Sequence, residues 1–371
     1  MKKRVHIIAD ASKIVDYTLF PLRVNKIGLF NRNYNVKIFY DLSPKSISCD
    51  ILLLISKPVL SLLNEKSPVI KENDPTLMFI KCARQYASKI IWLDNSDSTT
   101  VTHFELLPFI DYYLKKQLLK DKSLYSKEMV GGRIFTDYYH KKFNLLDNMD
   151  FDQVYPLDNK FINKVGLAWN IGLCDAYNAF TKKDLIRRKL FRSIPFKYHN
   201  KFISPNNVRI SDFFIRTSFN LSRKLIAFHR QELLKRLEEI INKNNLVGST
   251  KGPRLSTKKF RNELANSKIL PSPFGWGELG IRDYEAFIFG ALLLKPDISH
   301  METWPAIFIE NETYKPFKWD FSDLELIILQ LLENNQERLE IAESGQQAYA
   351  NSISQEGMEK FCDFFVKQIE R

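Results

Sequence analysis

The chain has 371 residues, more than one ordinary hydrophobic core supports, so two domains are expected, and 44% apolar with 26% charged residues excludes disorder. Cys49, Cys82, Cys174 and Cys362 are far apart and lack CxxC or Cys/His spacing, which argues against a disulfide framework or a zinc site. A formal net charge of +12 and a pI of about 9.3 favour anionic partners such as nucleotide phosphates, an anionic lipid surface or nucleic acid, and equally suit a Lys-rich soluble surface.

The N-terminal MKKRVHIIAD has too short an apolar run for a signal peptide, and no stretch approaches the roughly 20 apolar residues of a membrane span. A cytoplasmic protein is expected, with room for contact at the inner face of the membrane. Short runs rich in β-branched and aromatic residues at Arg4 to Ala9, Val36 to Tyr40, Asp50 to Ile55 and Lys89 to Leu93 read as strands. They alternate with helical stretches near Thr18 to Arg32 and Pro75 to Ser88. This alternation predicts a parallel, Rossmann-type sheet covered on both faces. The turn after the first strand, ADASKIVDY, lacks the glycines of a dinucleotide fingerprint, which argues against a nicotinamide dehydrogenase.

Met129 to Asn207 is irregular, suited to an interdomain region or inserted cover, and ends at the punctuation SPNNVRIS. A strand, Arg209 to Thr217, then precedes an amphipathic helix, Ser222 to Asn242, with Leu225, Phe228, Leu233, Leu234, Leu237, Ile240 and Ile241 at helical spacing. Further on come a strand at Lys268 to Leu270, a helix at Ile281 to Phe289, a strand at Ala291 to Leu294, a helix at Ser322 to Asn334 and a terminal helical stretch.

Pro271 to Ala291, PSPFGWGELGIRDYEAFIFGA, carries the strongest chemical signal. Ser272 to Gly277 is a glycine-punctuated loop leading into a helix, where backbone amides make an anion site and Arg282 adds a fixed cation. Glu285, three residues further on the same face, suits the vicinal hydroxyls of a ribose. An ordinary loop with a helix-surface ion pair is the bland alternative.

GWGELGIRDYEAFIFGALLL, followed by a helix and a Glu-rich tail, resembles the C-terminal domain of bacterial GT-B fold glycosyltransferases of the group 1 type, chiefly over Asn266 to Glu343. The resemblance implies an α/β protein of two Rossmann-like domains facing a cleft, with a C-terminal helix packing back toward the N-terminal domain. The expected division is 1–165, an acceptor domain with an irregular insertion; 166–345, the nucleotide-sugar domain; and 346–371, the terminal helix. It further implies that Ser272, Gly275, Trp276, Gly277, Glu278, Arg282 and Glu285 form the donor site, Glu285 on the ribose and the loop from Gly275 to Arg282 on the diphosphate. Large retaining families set two glutamates eight apart; Glu278 and Glu285 are seven apart, so retention is not inferred.

Arg216, Arg223 and Lys224 flank the end of the first strand of the C-terminal half and the start of its helix, where GT-B enzymes neutralise the leaving nucleoside diphosphate without a metal. An exposed basic helix start is the alternative. Asp94 and Asp97 in WLDNSDS, with Asp10 as competitor, are candidates for the general base, since ligands of open α/β sheets bind at the strand C-termini. Asp94 and Asp97 do not match an Asp-x-Asp metal motif, so no metal and no cofactor beyond the donor is expected. Trp276 and Trp304 are candidate sugar-stacking platforms. His229, a lone histidine on a helix, suits packing or surface, His103 near the WLDNSDS loop is marginally more interesting, and neither has a partner visible in the sequence.

The function expected is transfer of a sugar from a nucleotide donor to a hydroxyl of a saccharide or lipid-linked acceptor in surface polysaccharide or glycan synthesis. A nucleic-acid-binding protein, motivated by the charge and the basic stretch Lys182 to Arg192, and a non-catalytic scaffold of the same shape are the alternatives. No nucleic-acid module is recognisable, so no nucleic-acid partner is expected.

Overall fold

The computed structural model describes residues 2–65, 74–148, 155–179, 181, 197–198, 201–217, 222–250, 252 and 255–371. The basic stretch Lys182 to Arg192 lies outside them.

Two parallel sheets organise the chain. The first comprises β1 (Lys3–Ile8), β2 (Tyr34–Phe39), β3 (Cys49–Ile55), β4 (Ala87–Asp94), β5 (Tyr112–Lys115) and β7 (Val165–Leu167), in the order β2-β1-β3-β4-β5-β7. All its pairings are parallel, with Val5 opposite Ile51 and Leu54 opposite Trp92. Residues Ile51 to Ile55 are buried throughout, as expected of an inner strand covered on both faces. The covering helices are α1 (Lys13–Val24), α2 (Lys26–Asn31), α3 (Pro44–Ile47), α4 (Ser56–Leu62), α5 (Pro75–Ala83) and α6 (Ile134–Phe143).

The second sheet comprises β8 (Ser211–Phe214), β9 (Gly248–Ser249), β10 (Ser267–Pro271), β11 (Leu292–Pro296) and β13 (Lys315–Phe317), ordered β13-β11-β10-β8-β9 and again parallel. Its helices are α7 (Lys224–Asn244), α8 (Thr257–Ala265), α9 (Ile281–Phe289), α10 (Leu324–Glu333) and α11 (Asn335–Ser352). α7 buries Leu225, Leu233, Leu234, Leu237 and Ile240, five of the positions its spacing marks. Two Rossmann-like α/β units are therefore present, as the sequence predicts.

A ribbon joins them. β6 (Gln117–Leu119) of the first unit pairs antiparallel with β12 (Met301–Thr303) of the second, Gln117 opposite Thr303. The last helix, α12 (Gln355–Glu370), returns to the first unit, as expected: Trp169 packs on Phe361 and Phe365, Lys3 pairs with Glu370 at 2.7 Å, and Lys89 Nζ donates to the carbonyls of Ile369 and Arg371, each at 3.0 Å.

Both expected boundaries shift. A division at residue 165 would cut β7, which is the edge strand of the first sheet. α11 runs unbroken past residue 346 to Ser352, and the return begins where the Ser354 hydroxyl caps α12 by accepting the Gly357 N–H at 3.1 Å. The expected strand at Arg209 to Thr217 is shorter for a local reason. Arg209 is buried and its guanidinium donates to the carbonyls of Ser204, Ala265, Ser267 and Phe289, which pins the approach to β8.

Candidate active site

The C-terminal ends of β1, β4, β8 and β10 open on one cleft of about 630 Å³ between the units, a size suited to a small-molecule site. Its floor is the loop from Ser272 to Gly280 between β10 and α9. Ser272 N–H donates to the Leu294 carbonyl at 2.8 Å, and Gly275 N–H closes a tight turn on the Gly277 carbonyl at 2.9 Å. Beneath α9, fully buried Asp283 accepts from Ser272 Oγ at 2.5 Å, from Gly280 N–H at 2.9 Å and from Lys295 at 3.0 Å. This ion pair fixes the helix start, so the first-turn amides hold a set direction. Gly290, left-handed with φ of 66°, ends the helix.

Arg282 and Glu285 rise from α9 into the cleft. Burial lowers the Arg282 pKa, countered by Glu285 and Asp283, and its Nη1 is buried without a hydrogen bond. Burial raises the Glu285 pKa, countered by Arg282 and Arg261. Arg216, just beyond β8, lines the same space and pairs with Glu263 at 3.2 Å.

Two further arginines reach the cleft that sequence spacing did not single out. Arg230, on α7, donates from Nε to the Phe274 carbonyl at 2.9 Å, and burial followed by neighbouring Arg282 brings its pKa down to about 10. Arg261, on α8, donates to the Tyr177 carbonyl and lies over the Tyr177 ring at 3.8 Å. In the sequence Arg230 is one cation among many on an amphipathic helix; only the crossing of α7 over the glycine loop distinguishes it.

Arg216, Ser272, Gly275, Trp276, Gly277, Arg282 and Glu285 thus meet around one space, with Asp97 at its N-terminal lip. The other candidates are engaged elsewhere. Arg223 is buried against Asp147, with Nε at 2.9 Å from Oδ2, and Lys224 is exposed with its N–H donating to Asn148 Oδ1 at 2.8 Å. The start of α7 is thereby tied to the 147–148 segment rather than to the cleft. Asp94 is fully buried, bonded to Tyr113 OH at 2.5 Å and Lys115 at 2.8 Å, which holds its carboxyl well below the usual range despite the desolvation opposing it. With no exposed oxygen it cannot take a proton from an acceptor. Asp10 accepts from Ser12 N–H at 2.8 Å in a turn ahead of α1, whose Ile14 and Tyr17 are what line the cleft.

Asp97 differs from both. Its carboxylate is 31% exposed and sits 2.9 Å from Lys116 and 3.4 Å from Lys57. Burial works against its charge, but the two lysines win and keep it ionised well below the usual range.

Glu278 does not line the cleft. It is fully buried against the first unit, accepting from Thr99 N–H and Oγ1 at 3.1 and 2.7 Å and from Gln117 Nε2 at 2.7 Å. Trp276 is half-exposed at the cleft, whereas Trp304 stacks on Phe364 at 4.0 Å in the packing of α12 and offers no platform. His229 is buried, 2.5 Å from Tyr139 OH and against Phe274, a packing role as expected. His103 has a partner that spacing did not show, Glu105 at 3.4 Å. Among the described residues no grouping of His, Cys, Asp and Glu could hold a metal ion, and no helix is long and apolar enough to cross a membrane.

No protein-family profile and no curated protein sequence matches the chain. Among solved structures it is similar to an alpha-glucosyltransferase in complex with UDP and a 13-mer DNA, at 10% identity over all of both chains with a TM-score of 0.45. It is also similar to an alpha1,3-fucosyltransferase, at 11% identity over 100% of this chain and 90% of that one with a TM-score of 0.45. A third is Anabaena HepE in complex with UDP, at 11% identity over 99% and 100% with a TM-score of 0.43.

Proposed function

We propose that the chain is a metal-independent glycosyltransferase of the GT-B type, moving a sugar from a nucleotide-sugar donor to a hydroxyl of a saccharide or lipid-linked acceptor in surface polysaccharide or glycan synthesis. The observation that carries the reading is the convergence of Arg216, Arg230, Arg261 and Arg282 on a glycine loop and helix N-terminus in a cleft of about 630 Å³, with Glu285 among them. A nucleoside diphosphate meets those needs: its phosphates take loop amides and guanidinium groups, and its ribose hydroxyls donate to Glu285.

The donor then lies on the second unit and the acceptor against the first. As the bond from the anomeric carbon to the phosphate oxygen breaks, negative charge grows on the diphosphate, and Arg230 and Arg282 stabilise it in a partly dehydrated site. The acceptor oxygen forms the new bond to the anomeric carbon and gives up its proton, for which Asp97 is the assigned acceptor. The basic character of the chain suits a cytoplasmic site at the anionic inner face of a membrane, where lipid-linked acceptors reside.

Calorimetric titration with a panel of nucleoside diphosphates, with and without EDTA, tests this. Binding of at least one that survives EDTA, together with hydrolysis of the matching nucleotide sugar, is expected. Absence of both across the panel would sink the reading.

A further inference from the structure

Glu278 stands in the donor loop, yet its carboxylate accepts hydrogen bonds from Ser98, Thr99 and Gln117 of the other unit, with His300 of its own unit 3.8 Å away. Oε1 accepts from Thr99 Oγ1 at 2.7 Å and Ser98 Oγ at 3.3 Å; Oε2 accepts from Thr99 N–H at 3.1 Å and Gln117 Nε2 at 2.7 Å. The group is fully buried, and burial, which would raise its pKa, is outweighed by His300, Thr99 and its other donors, so it stays ionised. A buried charge whose hydrogen bonds come from across a boundary holds that boundary in one geometry, because displacing it leaves the charge without those donors.

What it holds is specific. Gln117 Nε2 also donates to the Asp97 carbonyl at 2.9 Å, so one amide ties the acceptor-side carboxylate's backbone to Glu278. Gly277 abuts that same carbonyl: a Cβ on Gly277 would stand 1.5 Å from Asp97 O. The receiving loop is itself anchored, by Tyr125 OH to the Thr99 carbonyl at 3.1 Å, Thr100 Oγ1 to the Gly132 carbonyl at 2.9 Å and Lys115 Nζ to the Val101 carbonyl at 2.7 Å. Gln117 lies on β6, whose pairing with β12 continues the junction.

We propose that Glu278 is a positioning residue: it latches the donor loop from Gly275 to Gly277 onto the Asp97 loop across the unit boundary, so that the cleft is preformed and Asp97 is held in register with the donor without Glu278 touching it. The latch follows from geometry alone; its catalytic consequence rests on the glycosyltransferase reading.

Glu278→Gln in the full chain tests both parts. The substituted amide has one acceptor oxygen where the carboxylate has two, so it cannot accept from the Thr99 and Ser98 hydroxyls on one side and from Thr99 N–H and Gln117 Nε2 on the other at once, and with the charge also gone the tie between the two loops loosens. Amide hydrogen exchange at Thr99 and Gly277 should rise about tenfold or more while β3 and β4 stay protected. Affinity for a nucleoside diphosphate should stay within about threefold, because its ligands lie on the second unit. Transfer to acceptor should fall about 100-fold, the scale of a small misplacement of reacting groups, and fall more than donor hydrolysis does.

Unchanged exchange at Thr99 and Gly277 would overturn the latch. Diphosphate affinity falling in step with turnover would make Glu278 a donor ligand instead, and full transfer activity with the loops released would remove its positioning role. Should Glu278→Gln fail to fold, Thr99→Val, which deletes only the hydroxyl donor, decides by the same criteria with effects nearer tenfold. If the wild-type chain binds no nucleoside diphosphate, the functional reading fails, while the exchange measurement still decides the latch.

Discussion

Arg230 Nε donates to the Phe274 carbonyl at 2.9 Å, so a helix of the second unit is fastened to the glycine loop at the point where a cation is also presented to the cleft. The bond orients the guanidinium, and its Nη2 lies beside Gly275 of the loop. With its pKa brought down to about 10, Arg230 remains charged at neutral pH. Arg230→Ala should weaken nucleoside diphosphate binding by roughly ten- to a hundredfold, the range for a charge-assisted bond. Arg230→Lys, which keeps charge but loses the fork, should recover only part of it. Calorimetry decides, and unchanged affinity in the alanine variant would remove Arg230 from the donor site.

Glu285 should trade stability for binding. Burial raises its pKa despite Arg282 and Arg261, so the folded state holds the proton more tightly than the unfolded chain. By linkage this group favours folding below its unfolded pKa, and that contribution is lost as pH rises from the unfolded value through the higher folded one. Glu285→Gln should therefore melt no lower than wild type at pH 7, and higher if the carboxylate is ionised there, while binding nucleoside diphosphate at least about tenfold more weakly for want of the ribose acceptor. Wild-type affinity should fall as pH drops through the raised pKa, and the variant should show no such fall. A variant that melts lower yet binds normally would contradict the assignment.

The glycines of the loop separate into needed and dispensable. A Cβ at Gly277 would overlap the Asp97 carbonyl at 1.5 Å, whereas one at Gly280 meets nothing within 4 Å, and Gly280 is extended with φ of −141°. Gly277→Ala should cost about 3 kcal/mol or more through forced backbone movement, and Gly280→Ala less than about 1 kcal/mol. Chemical denaturation of the two variants side by side is the measurement. Equal stabilities would contradict the loop packing described above.

Strands β1 to β4 and helix α9 were legible in the sequence because their signals are local: runs of buried apolar residues for the strands, and for α9 a glycine at each end with apolar spacing between. β6 and β12 were missed because each has three residues and exists only through the other, across more than 180 residues of chain. The donor cluster was read in part for the same reason. Ser272 to Glu285 are neighbours in sequence, but Arg230 and Arg261 reach the cleft only through the tertiary packing of α7 and α8 around it. Glu278 stands seven residues before Glu285, a spacing that says nothing of direction; the contact with Thr99 and Gln117, which turns it away from the cleft, is made across the unit boundary. Among three candidate aspartates, burial alone separates Asp94 from Asp97, and burial is not written in the segment WLDNSDS.

Asp97 owes its ionised state to its lysine partners. A carboxylate held ionised by Lys116 at 2.9 Å and Lys57 at 3.4 Å sits well below the usual range. Its pairing thus contributes to stability above the unfolded pKa, a contribution lost only as pH falls through the depressed folded value. Because Asp97 stays charged from neutral pH down through the ordinary carboxylate range, the wild-type transfer rate should show no acidic limb from this group there. Asp97→Asn should cut transfer about a hundredfold or more at unchanged nucleoside diphosphate affinity, since the acceptor proton loses its destination while the donor site is untouched. Lys116→Ala should weaken the field that depresses the carboxyl, raise its pKa and bring an acidic limb into the measurable range, with the plateau rate at high pH largely kept. If Asp97→Asn retains transfer, the proton goes elsewhere; if Lys116→Ala leaves the pH profile flat while Asp97→Asn is inactive, the carboxylate orients the acceptor rather than accepting its proton.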